Sequence, residues 1–285
     1  MIKLLENLSH TRKTINSWKL QDKKIGLVPT MGNLHSGHLS LIEHLKNNGA
    51  QKIIVSIFVN PKQFGPNEDF KEYPRTLDAD LAKLKKSGVD CVFVPNDSVI
   101  YPEQKTGELN IENRYLMSML CAENRPGHFQ GVLLIVNKLF NIIQPDITIF
   151  GQKDYQQYII IRNMVDNLFI PTRLLLAPIH REDDGLAMSS RNSYLNKKDR
   201  EVSPLIYKSL INIRNEIVNK DSNPNKIIPN YINKLEEKRF KVEYLEIRDK
   251  DNLKEPKDFT YQDDKYILLI AAQIGKIRLI DNIII

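Results

Sequence analysis

The chain has 285 residues, of which 41% are hydrophobic and 27% are charged. This length and balance predict two folded domains with apolar cores, and no apolar run is long enough to cross a membrane. The net charge of +6 favours anionic ligands, but the lysines are spread along the sequence, which indicates a solvated surface in preference to a nucleic-acid interface.

Residues 1–179 alternate short apolar segments with helical patterns. The predicted strands are Ile25–Pro29, Lys52–Val59, Val89–Val94, Ile147–Phe150 and Thr172–Ile179. One predicted helix carries Leu39, Ile42 and Leu45, and a second carries Leu77, Leu81 and Leu84 and ends at Gly88; two more span Val132–Ile143 and Asp154–Leu168. Strands that alternate with helices predict an α/β fold, here a Rossmann-like parallel sheet with helices on both faces.

Residues 180–285 show helices first and strands afterwards. Helices are predicted at 203–219 and 226–239, joined by the polar stretch Lys220–Asn225. Strands are predicted at Lys241–Arg248, Tyr266–Ala272 and Lys276–Ile280, with a hairpin turn at Gln273-Ile274-Gly275. We therefore expect a small C-terminal α+β domain over residues 180–285.

The two cysteines, Cys91 and Cys121, are far apart, and Cys91 lies in an apolar run. We expect a buried thiol at Cys91 and no disulfide framework, which indicates a reducing compartment. The polar N-terminal residues predict that no signal peptide is present. A cytoplasmic location is therefore expected.

Polar clusters follow the predicted strands, where ligands bind in open parallel sheets. Four of them, predicted to lie on one rim, are Pro29–His38, Asn60–Gly65, Gly151–Gln157 and Met188–Arg191. Their common position favours one shared site.

The pattern His35-Ser36-Gly37-His38 lies where a Gly-containing loop enters a helix. Helix N-termini bind phosphate through free N–H groups, and two imidazoles there would stabilise phosphate charge during a reaction. The alternative is a pair of ordinary helix-start residues. Zinc is disfavoured because His44, the next histidine, faces away and no third ligand is near.

The other clusters have chemical and structural interpretations. Lys153 opens a helix where a phosphate would lie, although it could be a surface charge. Gln63 and Gln157 could donate hydrogen bonds to a small polar substrate, or could be solvated loop residues. Ser189-Ser190-Arg191 could clamp a phosphate or form a polar turn. His128, within Arg125–Phe129, is more often structural.

The chain resembles the pantothenate synthetase (pantoate–β-alanine ligase) family over nearly its whole length. The motifs that carry the resemblance are Pro29–His38, Ser56–Gly65, Tyr73–Leu77, Arg125–Phe129, Gln144–Asp146, Gly151–Gln157, Asp184–Asn192 and Arg278–Asn282. The HxGH pattern alone marks a larger nucleotidyltransferase superfamily, whereas its combination with PTMGNLH, FVNPxQF and RPGHF is specific to this family.

The resemblance implies ATP-dependent condensation of pantoate with β-alanine through a pantoyl adenylate, with pyrophosphate and AMP as the other products. It implies catalytic roles for His38, His35 and Lys153. The implied ATP-binding residues are Met31, Gly32, Asn33, Leu34, His35, Ser36, Gly37, His38, Gly151, Gln152, Lys153, Asp154, His180, Met188, Ser189, Ser190 and Arg191. The implied pantoate and β-alanine residues are Gln63, Gln157, Asn60, Arg125 and Tyr73.

The resemblance also implies an ATP- and pantoate-binding domain over residues 1–179, a lid domain over residues 180–285, Mg²⁺ bound with ATP, and a homodimer that binds neither membranes nor nucleic acid. Two positions depart from the family pattern. Gln152 stands where many relatives have glutamate, and Asp80 is the only acid of a pair that helps some relatives hold the metal. At this pair the chain therefore departs from the metal-holding pattern of those relatives.

Two other functions remain open on the residues alone. Another HxGH nucleotidylyltransferase would transfer AMP to a phosphate, but it should need a more basic acceptor pocket than Gln63 and Gln157 supply. An RNA-binding module fits the positive charge, but the sequence has no run of lysine and arginine and no basic strand rich in aromatic residues.

Overall fold

The computed structural model describes residues 2–66, 68–103, 107, 109–220 and 223–285. The chain forms two compact units, each built from two stretches. The first unit contains Met1–Gly151 and Ile160–Ala177, and the second contains Gln152–Ile159 and Pro178–Ile285. Asp221 and Ser222, in the predicted linker, lie outside the described residues.

The first unit is built on six strands. They are β1 (Lys3–Leu5), β2 (Ile25–Thr30), β3 (Lys52–Ile57), β4 (Cys91–Phe93), β5 (Ile147–Gly151) and β6 (Arg173–Ala177). The helices up to the end of this sheet are α1 (Leu8–Lys19), α2 (Ser36–Asn47), α3 (Leu77–Lys86), α4 (Asp97–Ile100), α5 (Cys121–Asn124), α6 (His128–Ile143) and α7 (Tyr155–Asn167). Short 3₁₀ turns cover Pro61–Gln63 and Gln152–Asp154.

The six strands pair in the order β1-β4-β3-β2-β5-β6, and every pairing is parallel. From β2 the chain builds outwards through β3 and β4, and then returns to add β5 and β6 on the other side. Ligands of such sheets bind beyond the carboxyl ends of the two strands where the order reverses. The predicted α/β class with a parallel sheet is confirmed, and the loop after β2 begins at this switch point.

Both faces of the sheet are buried. Along β3, Ile53, Val55 and Ile57 belong to an apolar cluster that includes residues of α2 and α3. The alternate residues, Ile54 and Ser56, point to the other face and are also buried. Burial on both faces explains why these strands read as continuous apolar runs instead of alternating patterns.

The second unit contains three further helices and an antiparallel sheet of three strands in the order β7-β8-β9. The helices are α8 (Lys197–Val202), α9 (Leu205–Lys220) and α10 (Pro224–Glu236), the strands are β7 (Phe240–Asp249), β8 (Tyr266–Ile274) and β9 (Ile277–Ile284), and a 3₁₀ turn covers Ser190–Tyr194. Leu210 and Ile213 of α9 pack in one core with Leu268 and Ile270 of β8. The predicted α+β fold of the small C-terminal domain is thus confirmed.

Several predicted boundaries were wrong. Five of the elements described above, β1, α1, α4, α5 and α8, had not been predicted from the sequence. The strand predicted over Thr172–Ile179 ends at Ala177, because Pro178 has no N–H to continue the ladder. The predicted hairpin turn is displaced: Gln273 and Ile274 remain in β8, and the turn consists of Gly275 and Lys276, with Gly275 at a φ of +56°.

Both cysteines are free and buried. Burial raises the pKa of Cys91 to about 11, so its thiol stays protonated at neutral pH. No helix in the part of the chain that the structure describes has the length and apolar character needed to span a membrane.

Candidate functional site

The loop after β2 brings the two histidines of the HxGH pattern together. The centroids of the His35 and His38 rings are 4.1 Å apart, at the start of α2. The backbone N–H of His35 donates to Nδ1 of His38 over 3.3 Å. Since that nitrogen accepts a hydrogen bond, the proton of a neutral His38 ring is on Nε2. His38 therefore presents an N–H donor at a helix N-terminus, which suits an anionic oxygen.

This loop has an unusual backbone. Gly32 and Asn33 both have positive φ angles, of +82° and +50°, which favour glycine and asparagine. The hydroxyl of Thr30 accepts from the N–H of Gly32 at 3.2 Å and donates to the carbonyl of Ser56 on β3 at 2.7 Å. These contacts tie the loop to the rim of the sheet.

Asp80, in the first turn of α3, forms hydrogen bonds with the backbone of the same loop. Its two carboxylate oxygens accept from the backbone N–H groups of Asn33 and Leu34, each at 2.8 Å, and the Thr76 hydroxyl donates to one of them at 3.1 Å. The side chain is fully buried. Asp80 therefore acts as a clamp on the loop that carries the histidines, a role that the sequence did not predict.

The described residues do not form a protein cage for Mg²⁺. Among them, no group of three or more His, Cys, Asp or Glu side chains could hold a metal ion. Both oxygens of Asp80 accept from backbone N–H groups, so the contacts of this buried side chain assign it to the support of the loop.

The loop after β3 holds two of the predicted substrate residues. Asn60 is 1% exposed, and its side-chain amide donates to Oε1 of Gln63 at 3.0 Å and to the carbonyl of Gly131 at 3.1 Å. A Cβ on Gly131 would lie 2.1 Å from the carbonyl oxygen of Lys62, so only glycine allows α6 to approach this turn. The other end of Gln63, Nε2, donates to Sδ of Met31 at 3.0 Å.

This arrangement leaves the amide nitrogen of Gln63 available for a ligand. A thioether sulfur is a weak acceptor, so Nε2 of Gln63 can turn from Met31 to a carboxylate or hydroxyl at little energetic cost. The structure also shows that the loops after β2 and β3 meet at these two side chains.

Arg125 does not present an unengaged guanidinium. It donates to both carboxylate oxygens of Glu68, at 2.8 and 2.5 Å, and it contacts Nε2 of His128 at 2.9 Å. Nδ1 of His128 lies 2.7 Å from the carbonyl of Gln63. In this arrangement Arg125 supports the Gln63 loop through His128, and His128 is buried, in line with its structural interpretation.

Tyr73 is also buried, and its ring packs edge-on against Phe64 at a centroid distance of 5.9 Å. Phe64 is the residue after Gln63, so this contact adds apolar support to the same loop. Sequence reasoning missed Glu68 because nothing in the spacing indicates that it pairs with a residue 57 positions away.

In the second unit, the turn Gln152–Asp154 follows β5 directly. Nζ of Lys153 lies 3.3 Å from Oδ2 of Asp154. The side chain of Asn282, from β9, donates to the carbonyls of Gln152 and Lys153 at 2.9 and 3.1 Å and accepts from the Gln152 side chain at 3.1 Å. Gln157 lies in the first turn of α7 and is half-buried.

Residues 180–188 form a small antiparallel turn in the same unit. The N–H of Met188 donates to the carbonyl of His180 at 3.0 Å, and Arg181 pairs with Ala187. Arg181 also forms a two-point ion pair with Asp281, at 2.6 and 2.9 Å. Burial raises the pKa of Asp281, and the hydrogen bond from Arg181 opposes that rise, so the carboxylate depends on Arg181 for its charge.

The segment after this turn begins with Ser189, whose hydroxyl accepts from the N–H of Arg191 at 3.2 Å. Ser190 and Arg191 begin the 3₁₀ turn and are half-buried. Arg200 of α8 pairs with Glu182 and Asp184 in the preceding turn, at 2.6 and 2.5 Å. The pKa of Arg200 is raised, and the largest cause is the hydrogen bond that its guanidinium donates to Asp184.

Comparison with known proteins gives consistent matches. A family model described as pantoate-beta-alanine ligase matches residues 3–284. The pantothenate synthetase of Thermoanaerobacter pseudethanolicus is 47% identical over 280 residues, which cover 98% of this chain and 97% of that protein. The pantothenate synthetase of Pseudomonas fluorescens is 42% identical, with 98% and 96% covered.

The chain is also similar to solved structures with the same two descriptions, pantothenate synthetase and pantoate-beta-alanine ligase. The crystal structure of a pantothenate synthetase from Thermus thermophilus has a TM-score of 0.89 and 35% identity, with 99% of each chain covered. A pantoate-beta-alanine ligase from Francisella tularensis, described as complexed with beta-gamma ATP and beta-alanine, has a TM-score of 0.81 and 35% identity, covering 100% of this chain and 98% of that one.

Proposed function

The chain belongs to the pantoate–β-alanine ligase family of ATP-dependent ligases, and we propose that it makes pantothenate through an enzyme-bound pantoyl adenylate. The observation that carries the proposal is the pair of histidine rings at the start of α2, on a loop clamped by Asp80. ATP and β-alanine appear in the description of the Francisella tularensis relative, and we extend both ligands to this chain.

In the first step, a carboxylate oxygen of pantoate attacks the α-phosphorus of ATP, and the bond to pyrophosphate breaks. Negative charge builds on the phosphate oxygens, where the Nε2–H group of His38, the N-terminus of α2 and the ammonium of Lys153 would stabilise it. The chain therefore contributes fixed donors and charges to this step, and it forms no covalent bond with the substrate.

In the second step, the amine of β-alanine attacks the acyl carbon, the amine loses a proton, and AMP leaves. A free carboxylate is a poor acceptor for an amine because hydroxide is a poor leaving group, whereas AMP is a good one. Gln63 and Gln157 would hold the hydroxyl and carboxylate groups of pantoate, and Asn60 would keep the Gln63 amide oriented.

We propose ATP-binding roles for the following segments, each taken within its own unit. The first unit contains the loop Met31–His38 and Gly151, the last residue of β5. The second unit contains the turn from Gln152 to Asp154, His180 and the segment Met188–Arg191. Mg²⁺ would come with ATP, held by phosphate oxygens and water. We also expect a cytoplasmic homodimer, for which the sedimentation mass of the purified protein is the test.

The decisive experiment is ATP–pyrophosphate exchange with pantoate present and β-alanine absent. Exchange of radiolabelled pyrophosphate into ATP should require pantoate. The label enters ATP when pyrophosphate attacks the pantoyl adenylate, and that adenylate forms only from pantoate and ATP. A folded protein that binds ATP but shows no pantoate-dependent exchange would contradict the proposal. It would then favour another HxGH nucleotidylyltransferase, with a phosphate as acceptor.

Gln63→Ala should weaken the use of pantoate and β-alanine while ATP binding is retained. A lost hydrogen bond to a charged substrate group lowers the binding free energy by about 1.5–3 kcal/mol. We therefore expect KM for pantoate to rise about 10- to 100-fold. The measurement is KM for each substrate, together with calorimetry for ATP.

Gln51→Ala is the matched control for this substitution. Gln51 is an exposed glutamine of the same unit. Among the described contacts, its side chain accepts only from the N–H of Lys24. It should leave every KM within about twofold of the unmodified enzyme. Loss of ATP affinity with an unchanged KM for pantoate in Gln63→Ala would show that the pocket is misassigned.

A further inference from the structure

Asn282 of β9 makes an unusual set of contacts with a distant turn. It is 1% exposed, and its amide donates to two successive carbonyl oxygens, those of Gln152 and Lys153, at 2.9 and 3.1 Å. Its own carbonyl oxygen accepts from the side-chain amide of Gln152 at 3.1 Å. One buried side chain therefore fixes both the backbone of the turn and the side chain at its first position.

Asn282 is itself held firmly. It is paired with Leu269 in the β8–β9 ladder, and its N–H donates to Oδ1 of the neighbouring Asp281 at 2.8 Å. Asp281 is 3% exposed and is bound at two points by Arg181, whose guanidinium lies 3.6 Å above the centre of the Tyr207 ring. A buried ion pair stacked on an aromatic ring leaves this end of β9 little freedom to move.

We propose that Asn282 is a positioning residue for Lys153, an inference that rests on the proposed function because it assumes that Lys153 stabilises the phosphates of ATP. Lysine is a point charge on a flexible stem, so the location of its ammonium depends on a fixed backbone below it. Displacement of a catalytic group by about 1 Å can cost a factor of about 10² in rate.

Removal of the amide should move the turn as well as weaken the packing. Without Asn282 the carbonyls of Gln152 and Lys153 would lose their donor in a partly buried place, which costs more than the hydrogen bonds themselves contribute. The turn would rotate to reach water, and Lys153 would move with it. The effect should therefore appear in ATP-dependent steps, whereas a merely structural role would affect all substrates alike.

The test is a double-mutant cycle with Asn282→Ala, Lys153→Ala and the double variant, measured in the complete reaction. Asn282→Ala should lower kcat/KM for ATP about 10- to 100-fold and leave KM for pantoate within about twofold. In the Lys153→Ala background the same substitution should change kcat/KM for ATP by less than about threefold, because the group that it positions is already missing. Additive effects, or an equal rise in KM for pantoate, would overturn the inference.

Ser203→Ala is the matched control, because Ser203 is fully buried in the same unit and its hydroxyl donates to the carbonyl of Asp199 at 2.7 Å. It should keep kcat/KM for ATP within about twofold. If Asn282→Ala is recovered unfolded by circular dichroism, Asn282→Ser, which keeps a polar group at the site, replaces it in the same cycle.

Failure of the inference and failure of the proposed function give different results. An unmodified enzyme without pantoate-dependent exchange overturns the proposed function and the inference with it. An active enzyme that is sensitive to Lys153→Ala and insensitive to Asn282→Ala overturns the inference alone.

Discussion

Replacing His38 with alanine should lower pantoate-dependent ATP–pyrophosphate exchange by a factor of about 10² or more, the scale found when one preorganised donor to a transition state is removed. The reason is geometric. Nδ1 of His38 accepts from the N–H of His35, so in the neutral ring Nε2 carries the proton and would be the proposed donor to the phosphate. The measurement is the initial exchange rate at saturating ATP and pantoate.

His44→Ala is the control for this prediction, because His44 lies on the same helix six positions further on, with its side chain directed away from His38. It should exchange at close to the unmodified rate. His38→Gln, which places an amide nitrogen near the position of Nε2, should recover part of the lost rate. Unmodified exchange in His38→Ala would contradict the assigned role.

Replacing Asp80 with alanine should have two effects at once. It removes two charge-assisted hydrogen bonds and leaves the N–H groups of Asn33 and Leu34 without their acceptor, which should lower the free energy of unfolding by about 2–4 kcal/mol. It should also release the loop before His35 and lower exchange about tenfold or more. Urea unfolding and exchange rates on the same preparation measure both effects.

Asp78→Ala is the control, since Asp78 lies two residues earlier in the first turn of α3 and is exposed. It should change stability by no more than about 0.5 kcal/mol. A direct metal role for Asp80 makes the opposite prediction. Asp80→Asn would then raise the Mg²⁺ concentration needed for half-maximal exchange without a loss of stability, and that result would contradict the clamp.

The sequence predicted the architecture because the parallel sheet leaves a strong local signal. Buried strands such as β3 (KIIVSI) and β5 (ITIFG) consist mostly of apolar residues, and the apolar residues of the helices between them recur with a helical period. The elements that it missed are those without such a signal. The strand β1 has three residues, only one of them buried, and α1 buries two threonines beside its isoleucine and tryptophan.

The candidate site was predictable where its residues are neighbours in sequence. His35 and His38 are three positions apart, so a helix start brings their rings together without any knowledge of the fold. The residues that hold the site in place come from elsewhere: Asp80 binds a loop 46 and 47 positions away, and Asn282 binds a turn about 130 positions away. Such partners follow from tertiary packing, which a single sequence does not encode in its spacing.

The sequence separation between Asn282 and Gln152, 130 residues, also has a consequence for the order of events during synthesis. A ribosome adds about 5–20 residues per second, so the turn that carries Lys153 leaves the ribosome roughly ten seconds before the strand that fixes it. The first sheet can assemble in that interval from contacts that are already complete. A nascent chain should therefore gain activity only after β9 has been made. Chains released before β9 should contain the first sheet but an incomplete second unit, because β9 completes the sheet and core of that unit, and they should be inactive.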